Sequence, residues 1–230
     1  MHVQNITALF YKQIKDSLKN TPVLVLFIVF PIIALVMTQA MKGQAGMDSL
    51  FVSMFSTMHC VFTPIMATSS IIAEEKEKNT LRVLFLSNVT LKEYLLSIGG
   101  FVLLANLITG SIFLLFTEYS VKQSLIFMAS LAIGSLISLV LGACLGLYSK
   151  NAAAASGMAI SIGMIFAFMP MLANFNSGIE AISKFTFSGQ ISYFLAGKDV
   201  TVFGLIVLVI NFVLLFAIAT VLYSKSIKED

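Results

Sequence analysis

The sequence predicts an all-α integral membrane protein with six transmembrane helices, and three observations support this prediction. First, 58% of the 230 residues are hydrophobic and 11% are charged, whereas soluble globular domains carry about 25% charged residues. Second, six apolar stretches each have the roughly 20 residues that a helix needs to cross a hydrocarbon core. Third, the segments between them are mostly short, which indicates a single transmembrane domain over 1–230. The predicted spans are 22–41, 49–72, 95–117, 125–148, 152–173 and 201–223.

Lys and Arg are unevenly distributed between alternate loops, and this distribution predicts the orientation of the chain. Ten of the 14 basic residues lie in the N-terminal segment, in the loops after spans 2 and 4, and after span 6. Since Lys and Arg accumulate in cytoplasmic loops, we expect both termini to be cytoplasmic. The basic residues are scattered between apolar blocks, so the net charge of +3 does not indicate a nucleic-acid partner.

Residues 3–19 have the pattern of an amphipathic helix. Apolar residues recur on one face by steps of three or four, and lysines lie across from them. The apolar residues are Val3, Ile6, Phe10, Ile14 and Leu18, and the basic residues are Lys12, Lys15 and Lys19. Such a helix lies in the headgroup plane with its lysines toward anionic lipid. We therefore predict a membrane-surface anchor over 1–20, with a frayed basic tail as the alternative.

The segment between spans 2 and 3 concentrates charge. Eight of the 25 charged residues fall between Glu74 and Glu93, and Glu74 and Lys78 have the favourable i, i+4 order. Thr90 and Glu93 have the spacing of a capping box at the start of the next helix. A short charged helix with an apolar edge is predicted to be a docking element, and the alternative is a solvated loop. The candidate docking residues are Glu74, Glu75, Lys76, Glu77, Lys78, Asn79, Thr80, Leu81 and Arg82.

Small residues recur along span 4 and continue into span 5. The candidate packing residues are Gly134, Ser138, Gly142 and Gly146 in span 4, and Gly157 and Ser161 in span 5. Small side chains let helix backbones approach closely inside a membrane. The favoured interpretation is packing of span 4 on span 5, and the alternative is a dimer face or a sliding surface.

Residues 174–200, between spans 5 and 6, are too long for a tight turn and too apolar for a free loop. Residues 178–185 and 190–195 have the patterns of two short amphipathic helices, divided at Ser188-Gly189. These helices either re-enter the membrane or rest on its outer surface. Irregular backbone at membrane depth is tolerated only where protein buries it.

Taken together, these features resemble the permease subunits of ABC-2 type ABC transporters. The resemblance covers nearly the whole chain: an amphipathic N-terminal helix, six spans, and Glu-Glu-Lys-Glu-Lys-x-Thr-Leu between spans 2 and 3. It implies that this segment is a coupling helix in a cleft of a separate ATP-binding subunit. The residues at the motif positions are Glu74, Glu75, Lys78, Thr80 and Leu81. The family usually has a small residue, often Gly, near Asn79, so the sequence departs from the pattern there.

The resemblance also implies partners and a location. Two copies of an ATP-binding subunit would bind ATP and Mg²⁺, and two permease chains, identical or paralogous, would form a pathway through a bacterial plasma membrane. A re-entrant helical pair between spans 5 and 6 would cap the outer end of that pathway. No Gly-x-x-x-x-Gly-Lys-[Ser/Thr] pattern occurs in the chain, so we expect no cofactor site and no enzymatic activity in this subunit itself.

Other functional classes have less support in the residues. The predicted spans contain no Asp, Glu, Lys or Arg, and His59 is the one candidate for a proton relay. A lone buried His is more typical of hydrogen-bonded packing, and two histidines are too few for a catalytic metal site. Cys60 and Cys144 are predicted to be packing residues. The alternative function is an ATP-independent channel or a sodium-coupled carrier.

The composition of the spans bears on the cargo. They are rich in Met and Phe with scattered Ser and Thr, and flexible thioethers suit varied apolar partners. An amphipathic or hydrophobic cargo is therefore favoured over a densely anionic polysaccharide. Small bacterial permeases without large outer domains resemble exporters of amphipathic or antimicrobial peptides. A peptide is the favoured cargo on that basis, with drugs and lipids as alternatives.

Overall fold

The computed structural model describes residues 3–41, 47–87 and 89–226, and every regular element within them is helical. The helices are α1 (Val3–Lys19), α2 (Thr21–Ala40), α3 (Met47–Glu77), α4 (Thr80–Leu86), α5 (Leu91–Gly110), α6 (Val121–Tyr148), α7 (Ala152–Ala173), α8 (Ser177–Ser183), α9 (Phe187–Leu195) and α10 (Val202–Ser226). A short 3-10 helix, Ser111–Phe116, continues α5.

Six helical segments of the described chain are long and apolar enough to cross a membrane, which confirms the six predicted spans and supports a multi-pass membrane protein. The segments are Thr21–Ala40, Leu50–Glu77, Lys92–Phe116, Val121–Tyr148, Ala152–Ala173 and Val202–Leu222. The second segment differs most from its prediction, because the helix continues beyond residue 72 through the charged residues to Glu77.

Helix α3 is the centre of the bundle. It packs against α2, α5, α6, α7 and α9, and its span is the most buried of the six. In contrast, α10 packs on α6 and α9 along one side and presents apolar residues such as Val209, Val213 and Phe216 outward. An apolar outer surface of this kind is stable where the surrounding solvent is lipid.

Capping residues fix where two of the long helices begin. The Thr90 Oγ1 atom accepts a hydrogen bond from the Glu93 backbone N at 3.3 Å, and the Thr90 N donates to Glu93 Oε2 at 3.0 Å. The capping box predicted at the start of α5 is therefore confirmed. Ser120 and Gln123 form the same arrangement at the start of α6. Both boxes satisfy N–H groups that a helix start leaves unpaired.

Two short helices occur between α7 and α10 as predicted, but the predicted point of division was wrong. The division lies between Ser183 and Phe187, so Ser188 and Gly189 belong to α9. Thr186 caps α9, because its Oγ1 accepts from the Gly189 N at 3.2 Å. A Cβ added to Gly189 would lie 2.1 Å from the Ser183 carbonyl oxygen. This glycine thus permits close contact between α8 and α9 and does not form the turn.

The bundle has two ends, which we name by their elements. The charged end comprises α1, the last turn of α3, α4, the start of α5 and the turn between α6 and α7. The far end comprises the 3-10 helix, α8, α9 and the starts of α6 and α10. Helices α3 and α7 each run from one end to the other.

Candidate functional site

The charged segment that follows the second span is divided into two helices, whereas the sequence predicted one short helix. Residues 74–77 form the last turn of α3, and Asn79 then adopts a left-handed backbone with a φ of 57°. After glycine, Asn is the residue that most readily adopts this conformation. Helix α4 begins directly afterwards, and the Thr80 Oγ1 donates to the Glu75 carbonyl oxygen at 3.0 Å. This bond fixes the position of α4 relative to the end of α3.

Glu75 is buried and holds α1 against the bundle. Lys12 Nζ donates to Glu75 Oε1, and Gln13 Nε2 donates to the same oxygen at 3.0 Å. Tyr94 from α5 interacts with this carboxylate as well. A carboxylate out of water needs such partners, because an unpaired buried charge is strongly destabilising. Glu75 is therefore a structural junction of α1, α3 and α5.

The next two charged residues connect α3 to the turn between α6 and α7. Lys76 Nζ donates to the carbonyl oxygens of Leu147 at 3.0 Å and Ser149 at 3.3 Å, at the end of α6. Glu77 Oε2 accepts from the Ala152 N at 2.8 Å, at the start of α7. A cation at a helix C-terminus and an anion at an N-terminus both complement the helix dipoles. Lys76 and Glu77 therefore link three helices.

Glu74 and Lys78 form the predicted i, i+4 ion pair on the surface. The carboxylate of Glu74 raises the pKa of the Lys78 ammonium group through its hydrogen bond and its charge. Exposed pairs of this kind contribute little to stability. Among the predicted docking residues whose side chains the structure describes, these two and Asn79 remain open to a partner without already holding another element of the fold.

Helix α4 is anchored at one side and free at the other. Leu81 is buried in the cluster formed by α2, α3, α5 and α6. Val83 and Leu86 are 60% and 77% exposed. Arg82 belongs to α4, but its side chain lies outside the described part of the structure. Val83 and Leu86 thus present exposed apolar surface at the charged end of the bundle.

The structure orients α1 differently from the sequence-based prediction. Leu9, Gln13 and Ser17 form its buried side, and the helix packs against α5 and α2. The Phe10 ring meets Phe101 edge to face at 6.5 Å. Leu18, predicted on the lipid-facing side, is exposed, which is compatible with that prediction. Hydrophobic periodicity alone did not detect this packing, because two of the three buried residues are polar.

The three predicted anchor lysines are not equivalent. Lys12 is half-buried and pairs with Glu75, whereas Lys15 and Lys19 are exposed. An acidic partner 63 positions away cannot be identified from helical spacing. Lys12 therefore connects α1 to α3, and Lys15 and Lys19 remain the candidates for a membrane-surface anchor.

The small residues of span 4 pack on span 2, so the expectation that they contact span 5 was wrong. A Cβ added to Gly142 would lie 2.7 Å from the Ile65 carbonyl oxygen, and one added to Gly146 would lie 2.9 Å from that of Ser69. Gly134 makes a similar contact with the Cys60 sulfur. Close backbone contact between α6 and α3 requires small side chains at these positions. Ser138, on the same helix, is fully buried.

Gly157 and Ser161 do not join this interface. Both are exposed on α7, and a Cβ added to Gly157 would meet no atom within 4 Å. The buried side of α7 is formed instead by Ala155, Ala159 and Gly163. The two groups of small residues thus lie on separate surfaces.

A cavity of about 740 Å³ opens at the far end between α3, α7, α8 and α9. Its apolar lining residues include Leu50, Met54, Ala167, Pro170 and Met171, and its polar lining residues include Asn174, Glu180, Lys184, Gln190 and Lys198. The Lys198 Nζ lies 4.7 Å above the Tyr193 ring. Hydrogen bonding from Lys184 lowers the pKa of Glu180. Sequence reasoning missed this cavity, although the length and apolar character of 174–200 gave an indirect signal.

No protein-family model and no curated protein matches this chain. Helix α3 carries Glu75 at the charged end and lines the cavity with Ser53 and Thr57 at the far end. Helix α7 begins at the Glu77 contact and also reaches the cavity. Helices α3 and α7 therefore each connect the charged end to the cavity at the far end.

His59 and the two cysteines are buried packing residues. The Nε2 of His59 lies 3.1 Å from the Asn106 carbonyl oxygen and 3.2 Å from the Thr109 Oγ1. Cys60 and Cys144 are free thiols, as the sequence predicted. Within the described residues, no group of three His, Cys, Asp or Glu side chains could hold a metal ion.

Proposed function

We propose that this chain is the permease subunit of an ATP-driven exporter of the ABC-2 type, with ATP hydrolysed by two copies of a separate subunit. The observation that supports the proposal is the attachment of α4. Its first residue, Thr80, bonds to the buried end of α3, while Val83 and Leu86 expose an apolar surface. A short helix with a fixed base and a free apolar side suits docking into a cleft of a partner.

The proposed coupling runs through the hydrogen bonds of the charged end. A force on α4 would reach α1 through Glu75 and Lys12, and the α6–α7 turn through Lys76 and Glu77. Closure of the ATPase pair would thereby move α3 and α7 together. Because both helices line the far-end cavity, this motion would change the shape of the cavity.

The proposal gives the chain an orientation. The charged end faces the bacterial cytoplasm, both termini lie on that side, and α8 and α9 form a re-entrant pair that caps the outer end of the pathway. The excess of Lys and Arg in the corresponding loops supports this arrangement. Lys15 and Lys19, both exposed on α1, suit contact with the anionic headgroups of the inner leaflet.

A second permease chain, identical or paralogous, would complete the pathway. The exposed Gly157 and Ser161 on α7 are the proposed face toward it, because small residues permit close helix contact in lipid. The cavity beside this helix is lined by both apolar and polar side chains, which suits an amphipathic cargo. An amphipathic peptide is the favoured cargo, and drugs or lipids are the alternatives.

Co-expression with the ATP-binding subunit encoded beside this chain tests the proposal. Val83→Asp places a charge on the exposed apolar surface of α4, and Val121→Asp makes the same change at an exposed far-end position. We expect Val83→Asp to reduce co-purification of the ATPase and its stimulated activity about tenfold, since an apolar anchor at an interface contributes roughly 1–3 kcal/mol. Val121→Asp should leave both unchanged.

Two results would contradict the proposal. One is equal loss of the complex with Val83→Asp and Val121→Asp, which would show that α4 does not form the interface. The other is solute flux through vesicles that contain this chain alone and no ATP. That flux would identify the ATP-independent channel or the sodium-coupled carrier, and a dependence on a Na⁺ gradient would distinguish between them.

A further inference from the structure

We propose that a groove between α6, α9 and α10 binds one acyl chain of a membrane glycerophospholipid whose phosphate contacts Lys122. The groove has a volume of about 200 Å³ and lies at the far end, apart from the α3–α7 cavity. Its lining is almost entirely apolar and includes Ile126, Ala129, Ile133, Phe194, Leu205 and Leu208. An apolar groove on the outer surface of a membrane bundle is in contact with lipid, and an acyl chain matches it chemically.

The groove has the direction of a lipid chain. Helices α6 and α10 both begin at the far end and run side by side toward the charged end. Along α6 the lining extends from Ile126 to Ile133, which is a distance of about 10 Å at the rise of an α-helix. On α10 it extends in parallel from Leu205 to Leu208. The groove therefore starts near the membrane surface and descends into the hydrocarbon region.

Small residues border this groove. A Cβ added to Gly204 would lie 2.6 Å from both the Phe194 ring and the Gln190 Oε1, so the start of α10 is held directly against α9. On the opposite wall, Ala129 is exposed and Ser130 is buried. Their short side chains leave space where larger residues would fill the contact between α6 and α10.

Lys122 supplies the contact for the headgroup. It is exposed and lies four positions before Ile126, so both side chains are on the same face of α6. Lysines near the start of a membrane helix extend their ammonium groups to the lipid phosphates. Glu118 and Asp199 are exposed at the same end. This surface carries both positive and negative charges. We therefore assign the recognition by Lys122 to the phosphate group of the lipid and not to a net negative charge of the whole headgroup.

Native mass spectrometry of the purified full-length chain tests the groove. The protein in detergent is titrated with dioleoyl phosphatidylglycerol, and the fraction that retains one lipid is measured. Ala129→Phe should lower retention about tenfold, which corresponds to roughly two displaced methylene groups. Ala217→Phe, the same change at an exposed position further along α10, should retain lipid like the unsubstituted chain. Size-exclusion elution checks that each variant is folded.

A second comparison tests the phosphate contact. Lys122→Gln should lower phosphatidylglycerol retention about fivefold and leave retention of dioleoylglycerol, which has no phosphate, unchanged. Lys150→Gln, at an exposed lysine of the charged end, is the control. Equal retention in Ala129→Phe and Ala217→Phe, or in Lys122→Gln and Lys150→Gln, would overturn the proposal. These measurements need no ATPase, so their outcome is independent of the proposed transport function.

Discussion

Lys12 on α1 and Glu75 on α3 form an ion pair that spans 63 positions of sequence and lies largely inside the protein. Glu75 belongs to the charged segment whose sequence predicts a docking surface, yet its carboxylate points inward. A docking partner would therefore meet the neighbours of Glu75 and not Glu75 itself. The ion pair makes the position of α1 depend on the end of α3.

Loss of this ion pair should destabilise the whole chain. Glu75→Ala leaves Lys12 and Gln13 without their shared acceptor, and we expect a loss of about 2–4 kcal/mol in the free energy of unfolding. The chain contains no Trp, but Cys60 and Cys144 are both buried free thiols. Their reaction with a maleimide dye during heating therefore reports unfolding.

A matched substitution distinguishes the loss of the buried ion pair from the loss of a charge at the surface. Lys78→Gln breaks the exposed pair with Glu74 and should leave the free energy of unfolding nearly unchanged. The double variant Lys12→Met/Glu75→Leu should be more stable than Glu75→Ala, since it leaves no unpaired charge. Equal effects of Glu75→Ala and Lys78→Gln would contradict the buried ion pair.

The contact between α6 and α3 predicts that alanine substitutions at two glycines differ strongly in their effect on stability. Gly142→Ala places a Cβ 2.7 Å from the Ile65 carbonyl oxygen, and this backbone atom cannot move aside easily. We expect a loss of about 1–3 kcal/mol from overpacking. Gly157→Ala meets no atom within 4 Å and should be neutral or slightly stabilising. Thermal dye labelling of both variants checks the prediction, and similar melting temperatures would contradict it.

The left-handed residue between α3 and α4 gives a third prediction. Asn79→Gly should retain or increase stability, because glycine adopts the φ of 57° without strain. Asn79→Val should lose about 1–2 kcal/mol, since a β-branched side chain clashes in this conformation. If the two substitutions lowered the melting temperature equally, the strain argument would fail.

Local sequence signals predicted the local structure of this chain well. The apolar lengths predicted the six spans, and the Thr90 and Glu93 spacing predicted the cap of α5. Both features depend only on residues close together in the chain. The division between α8 and α9 was misplaced because Gly189 suggested a turn, whereas it is required for contact with Ser183.

Contacts between distant elements were not predictable from the same signals. The spacing of Gly142 and Gly146 indicates that one side of α6 carries small side chains. It does not indicate which helix packs against that side. Likewise, the charge of Glu75 does not reveal whether its partner is water, an ATPase or Lys12. The far-end cavity depends on four helices at once, so no single segment could indicate it.

The contacts of Lys76 give a prediction that separates coupling from docking. Lys76→Gln removes a cation bonded to the carbonyl oxygens of Leu147 and Ser149, and thereby weakens the connection between α3 and the α6–α7 turn. Under the proposed function, ATPase co-purification should be unchanged, while ATP-dependent transport into inverted vesicles should fall about tenfold, the effect of one charged hydrogen bond. Lys92→Gln, the same change at an exposed lysine at the start of α5, should leave transport unaffected. Because α4 itself is unaltered in both variants, equal transport rates would show that motion does not pass from α3 to α7 through this contact.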